Sequence, residues 1–162
     1  MSKRTEIIRY IRDLLEQAQT FDGPVYTSQS KAYSLEELPC ALLVISKEKQ
    51  EILSESAPRV IKKTSECSLQ LIAEFEEGAE EEMHDVLSDI EHLILGDDTL
   101  GDRISRLMPD SLEFSTHMEG ERPIISGKFK FEATYYERMI RDQELPTMNV
   151  NAKIVEAPCP LK

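Results

Sequence analysis

The chain has 162 residues, 40% of them hydrophobic and 6% aromatic with no Trp, enough for one domain with a mainly aliphatic core. Thirty-one acidic residues against 19 basic ones give a formal net charge of −12, which argues against a nucleic-acid-binding module, whose footprint is a basic stripe with interleaved aromatics. The longest apolar runs, such as residues 41–45, are far too short to cross a bilayer, so no membrane partner is expected.

Ile7, Ile8, Ile11, Leu14 and Leu15 recur at helical spacing while Arg9, Arg12, Asp13 and Glu16 fill the other face. This predicts a helix over residues 5–18, capped by Ser2 or Thr5. Gly23-Pro24 bars any extension of the helix, and Val25-Tyr26-Thr27 reads as a short strand. Pro39 pushes Leu38 out of the helical region, making residues 35–39 a turn-like connection. Cys40-Ala41-Leu42-Leu43-Val44-Ile45 is an apolar run of strand length, expected to be buried on both faces. Residues 46–63 are polar, with Ile52, Leu53, Val60 and Ile61 as apolar points. They read as a long hairpin or flap outside the core, mobile in the free protein.

Cys67, Leu69, Leu71, Ala73 and Phe75 alternate with Ser68, Gln70, Ile72 and Glu74, predicting a strand with one buried face that Gly78 ends. A second helix comes next over 79–95, with Met83, Val86, Leu87, Ile90, Leu93 and Ile94 on one stripe. Glu80, Glu81 and Glu82 stand in its first turn, where the helix dipole favours anions, and Gly96 is expected as a left-handed C′ residue. Ile104, Leu107 and Met108 give a short apolar return before a strand over 112–116. Gly120-Glu121-Arg122-Pro123 then leads into the longest strand of the chain. There Phe129 and Phe131 are expected to face the helices and Lys128 and Lys130 to face away, with Gly127 at a bulge or a close backbone approach. The pattern dissolves after Glu137, which predicts a domain over 1–137 and an extended tail over 138–162. The expected fold class is α+β, a mostly antiparallel sheet with two main helices packed on one face.

The charge is local. Between Lys63 and Arg103 lie 13 acidic residues and no basic one, and the rest of the chain is nearly neutral. This block reads either as a solvated helix face or as a field that repels DNA and favours basic protein partners. Chemistry is harder to find. GxSxG, HExxH and glycine-rich phosphate loops are missing, and Cys40, Cys67 and Cys159, odd in number and widely spaced, form neither a disulfide framework nor a CxxC metal pattern. His84 and His92, with Asp85, Asp89 and Glu91, outline at most a divalent site on a carboxylate-rich helix, a surface more often simply solvated. We therefore expect no catalytic, metal-binding or cofactor-binding residues, and a structural rather than an enzymatic protein. Sparse cysteines suit a reducing cytosol, and the N-terminal Met1-Ser2-Lys3-Arg4-Thr5 runs into an amphipathic helix rather than a signal core, so a soluble intracellular protein is expected.

Taken as a whole, the order of parts resembles a known family. The features are a helix ending in Gly23-Pro24, the Val25-Tyr26 strand, Leu38-Pro39 before a buried strand, and a polar flap. An acidic helix then closes with Gly96-Asp97-Asp98-Thr99-Leu100-Gly101, and a long strand ends in Thr134-Tyr135-Tyr136. Over residues 5–137 this is similar to the tail-terminator family of long-tailed bacteriophages and prophages, the minor tail protein U type; the flap and the C-terminal tail are longer here than in the family pattern. The resemblance implies a homo-hexameric ring that caps the tail tube, stops its polymerisation and offers a surface to the head connector protein. Its expected places are the host cytoplasm during assembly and the virion's head–tail junction. Expected partners are other copies of the chain, the tail tube protein and the head connector protein, with no sequence-specific nucleic-acid binding. Three alternatives stay open: a head-completion or connector protein, a small acidic cellular adaptor that binds a basic protein, and an enzyme whose constellation the sequence pattern does not reveal. Glu80, Glu81, Glu82, Asp85, Asp89, Lys128 and Lys130 are the candidate assembly or lumen residues, with the lysines as partners for a neighbour's Glu80–Glu82 patch.

Overall fold

Ser2 opens the first helix as its N-cap, the hydroxyl accepting from the Thr5 amide at 3.2 Å. The computed structural model describes residues 1–19, 21–27 and 37–140. Along them run α1 (Lys3–Ala18), β1 (Val25–Tyr26), β2 (Cys40–Ile52), β3 (Arg59–Glu74), α2 (Ala79–Leu95), β4 (Arg106–Glu119) and β5 (Arg122–Met139). Residues 35 and 36 of the expected connection, Cys159 and residues 141–162 of the expected tail lie outside the described residues.

The strands form one sheet in the order β1-β2-β3-β5-β4, with β1 parallel to β2 and every other pair antiparallel. Both helices lie on one face, so the architecture is α+β as expected. Ile7, Ile11 and Leu15 from α1 and Met83, Leu87, Ile90 and Ile94 from α2 meet Leu43, Leu69, Phe129 and Phe131 of the sheet in a single core. A smaller cluster of Cys40, Ile72 and Ile124, with Tyr26 and Leu38 against it, sits elsewhere at the β1 end. Cys40 and its neighbours are thus buried on both faces of β2, as the unbroken apolar run predicted.

Two bulges set which side chains reach the helices. Ser46 is the extra residue between Ile45 and Lys47, so the phase of β2 shifts and Glu48 rather than Lys47 shares a face with Ser65 and Tyr135. In β4 the register shifts between Pro109 and Ser111, which puts Leu112 opposite Phe129 and Phe114 opposite Gly127. The segment 46–63 is a hairpin and, against the reading of it as a flap apart from the sheet, most of it is sheet: β2 runs to Ile52, β3 starts at Arg59, and Arg59 to Lys63 also pair with Tyr135 to Met139 of β5. Three local expectations fail. Gly96 is right-handed (φ −68°), the left-handed residues coming later at Leu100, Gly101 and Asp102. Phe75 lies past the end of β3 and is 41% exposed. β5 continues through Met139, so residues 138 and 139 belong to the sheet and not to a tail.

Gly127 marks a close approach of α2 to β5, not a bulge. A Cβ there would collide with Leu87 Cδ1 and come within 3.3 Å of the Phe114 ring and 3.4 Å of Met83 Cγ. Gly127→Ala should therefore destabilise the fold by about 1–3 kcal/mol through overpacking, read as a lower urea midpoint. An unchanged midpoint would mean that α2 shifts freely over the sheet.

Candidate functional site

The acidic candidates lie on the solvent side of α2. Glu80, Glu81, Glu82, Asp85 and Asp89 are all exposed, while Met83, Leu87 and Ile90 between them are buried. Lys128 and Lys130 are half-buried and lie on the opposite face of the sheet, so one subunit does not bring the two sets together. Lys130 already has a partner within its own chain, Glu113, at 3.6 Å. Asp110, Glu66, Ser68 and Gln70 border the same shallow recess as both lysines.

The two histidines diverge. The His84 ring packs on Phe114 of β4 with centroids 4.2 Å apart, while His92 Nδ1 lies 2.7 Å from the Ser88 carbonyl of its own helix. Among the described residues no group of three or more His, Cys, Asp or Glu side chains could hold a metal ion. Cys67 and Cys40 are free but buried. Burial pushes the Cys67 thiol up to about 12, and burial together with the charge of Glu37 pushes Cys40 up to about 11, so neither is a ready thiolate.

A buried polar cluster that the sequence pattern alone does not reveal joins α1 to the β2–β3 hairpin. Glu48 accepts from Tyr135 Oη at 2.7 Å and Ser65 Oγ at 3.0 Å, with Arg4 at 3.6 Å and Lys63 at 3.9 Å. Lys63, 6% exposed, places its ammonium 2.6 Å from Glu137. Burial alone would raise the Glu48 carboxyl, but hydrogen bonds from Tyr135, Gln50 and Ser65 and the charge of Arg4 outweigh it and hold the group below its usual value. Burial, then the hydrogen bond to Glu48, drives the Tyr135 phenol far up, so it stays a neutral donor. Every member is committed to another, which makes the cluster a lock rather than an acid–base device. The signal that could have found it is Lys63 and Ser65 sharing the period-two face of Cys67 and Leu69.

The Gly96–Gly101 phrase has a structural task as well. The Asp97 carboxylate accepts from the Gly101 amide at 2.6 Å, the Thr99 amide at 3.0 Å and the Thr99 hydroxyl at 2.9 Å, with Tyr10 Oη of α1 at 3.4 Å. The backbone bonds from Gly101 and Thr99 hold its carboxyl below the usual range. Arg103 then stacks over the Tyr10 ring at 4.5 Å, tying α1 to the turn after α2.

β1 covers only Ala41 and Leu42 of β2, so from Leu43 to Ile52 that edge pairs with no described strand, nor does the outer edge of β4. β4 also exposes Leu112, Phe114 and Met118 on the helix side. At the α2 N-terminus a groove of about 460 Å³ opens between Phe21, Leu38, the end of β3 and Met83. No helix among the described residues is long and apolar enough to cross a membrane. No protein-family model matches the chain, and no curated protein matches its sequence.

Proposed function

We propose that the chain is a ring-forming structural subunit of the tail-terminator type, which caps a tail tube, stops its growth and offers a joining surface to a head connector. The observation that carries this reading is the pair of unlike sheet edges, β2 from Leu43 onward and β4, which no described strand covers. A heterologous contact that repeats around an axis needs two different complementary patches on each subunit, and open strand edges are natural places for them. The family resemblance supplies the tube and connector as partners and the absence of an enzymatic task. The acidic outer side of α2 suits a ring that lets DNA pass without binding its phosphates.

Light scattering of the full chain over a concentration series should give the mass of six copies, and electron microscopy of that species should show a closed ring with a central hole. Added to growing tail tubes, the protein should halt elongation at one end. A chain that stays monomeric and leaves tube growth unaltered defeats the reading. An acidic adaptor for a basic protein is the second reading, favoured by exposed Glu76, Glu77 and Glu82, none of which has an ion-pair partner among the described residues. Rings bound to portal rather than tube would instead identify a head-completion protein.

A further inference from the structure

We propose that identical chains join head to tail, the tip of the β2–β3 hairpin of one copy seating in the acid-rimmed groove at the α2 N-terminus of the next. The groove has an apolar floor that includes Phe21, Leu38, Leu71, Met83 and Val86. Its rim carries Asp22, Glu74, Glu76, Glu77 and Glu82. Of these, Glu74 is engaged by Arg122 at 3.2 Å, and the other four have no ion-pair partner among the described residues. The opposite end of the same sheet has the complementary character. Ile52 and Leu53 are 55% and 52% exposed at the tip, and Met139 and Ile140 beside them are 38% and 65% exposed. Lys49, Lys62 and Arg138 stand at the same end of the sheet but on its other face from Ile52 and Met139, without ion-pair partners among the described residues, and Glu51 lies directly opposite Lys62 there. The tip's own carboxylates, Glu51 and Glu55, leave it with a basic excess.

These two surfaces cannot meet within one molecule. β3 has 16 residues, which at a strand rise of about 3.3 Å puts its ends about 50 Å apart. The partner that supplies both the aliphatic side chains and the cations is therefore a second copy of this chain. The contact is heterologous, with tip on one subunit and groove on its neighbour, so it propagates in one direction and closes where the rotation allows. It rests on the ring reading only for that closure. It also replaces Lys128 and Lys130 as the partners of the acidic end, since Lys130 is engaged by Glu113 within its own chain.

The test is the concentration dependence of mass for the full-length chain by light scattering, at low and high salt. Lys49→Glu with Lys62→Glu reverses the tip, and Glu76→Lys with Glu77→Lys reverses the rim; Lys62 is half-buried and the other three are exposed, and circular dichroism should show both double variants folded. Each should raise the concentration for half-assembly by about tenfold or more, with the larger effect at low salt. Combining all four substitutions should bring assembly back toward the original. The proposal is overturned if either double variant assembles like the parent, if the fourfold variant fails to recover, or if the parent is monomeric at every concentration. Closed rings that ignore the reversals would leave the ring reading standing without this seam. Open chains that obey them would leave the seam standing without the ring.

Discussion

Phe131→Ala should lower the unfolding free energy by about 3–5 kcal/mol, the cost of a lost aromatic burial plus the cavity it leaves. Phe131 is fully buried on β5, opposite Cys67 of β3 on one side and Pro109 of β4 on the other. Its ring lies 5.1 Å from that of Phe129, a tilted aromatic contact that the substitution also removes. The control is the adjacent residue. Lys130 is half-buried on the other face and makes an exposed ion pair with Glu113, so Lys130→Ala should change stability by no more than about 0.5 kcal/mol. Urea unfolding of the two variants reads both values. A small loss for Phe131→Ala, or a large one for Lys130→Ala, would invert the facing of β5 and with it the placement of both helices.

How far such facing is legible in the sequence depends on whether the buried side of an element is apolar. The bounds and the stripe of α2 are legible because Met83, Leu87, Ile90 and Ile94 repeat without interruption. The inner half of β5 is legible too, because Phe129, Phe131 and Ala133 alternate with polar residues. The outer halves of β2 and β3 are not. There the helix-side positions are held by Glu48, Lys63 and Ser65, which satisfy one another, so a hydrophobic pattern ends where the sheet does not. The bulge at Ser46 adds a change of phase that no alternation count survives. In β4, Pro109 and the bulge beside it hide everything before Leu112. The candidate surface divides the same way. The exposure of Glu80, Glu81 and Glu82 comes directly from helix periodicity, but the groove beside them is assembled from the residues after α1, the Leu38-Pro39 connection, β3 and α2, and only the fold brings those together.

Glu48→Ala should cost about 3 kcal/mol, within the range for removing one partner of a buried, hydrogen-bonded charge. The substitution leaves the Tyr135 and Ser65 hydroxyls without their acceptor and Lys63 with Glu137 alone, at a site where the Glu48 side chain is 7% exposed. Glu48→Gln keeps an acceptor oxygen but loses the charge, and should cost roughly half as much. The two variants also separate charge from packing through pH. Because the folded state holds the Glu48 carboxyl below its usual value, the ionised form stabilises the fold. That contribution is complete above the unfolded-state pKa of about 4.3 and disappears as the pH falls through the lower folded value. The stability gap between the parent and Glu48→Gln should therefore be constant near neutrality and close in acid, while the hole left by Glu48→Ala persists there. Tyr135→Phe completes the cycle: in the Glu48→Ala background its cost should shrink, because the phenol no longer has a carboxylate to donate to. A gap between parent and Glu48→Gln that keeps its neutral value well below pH 4 would show that the lock is held by shape and not by the charge of Glu48. In that case the polar inner face of the long hairpin would need another explanation.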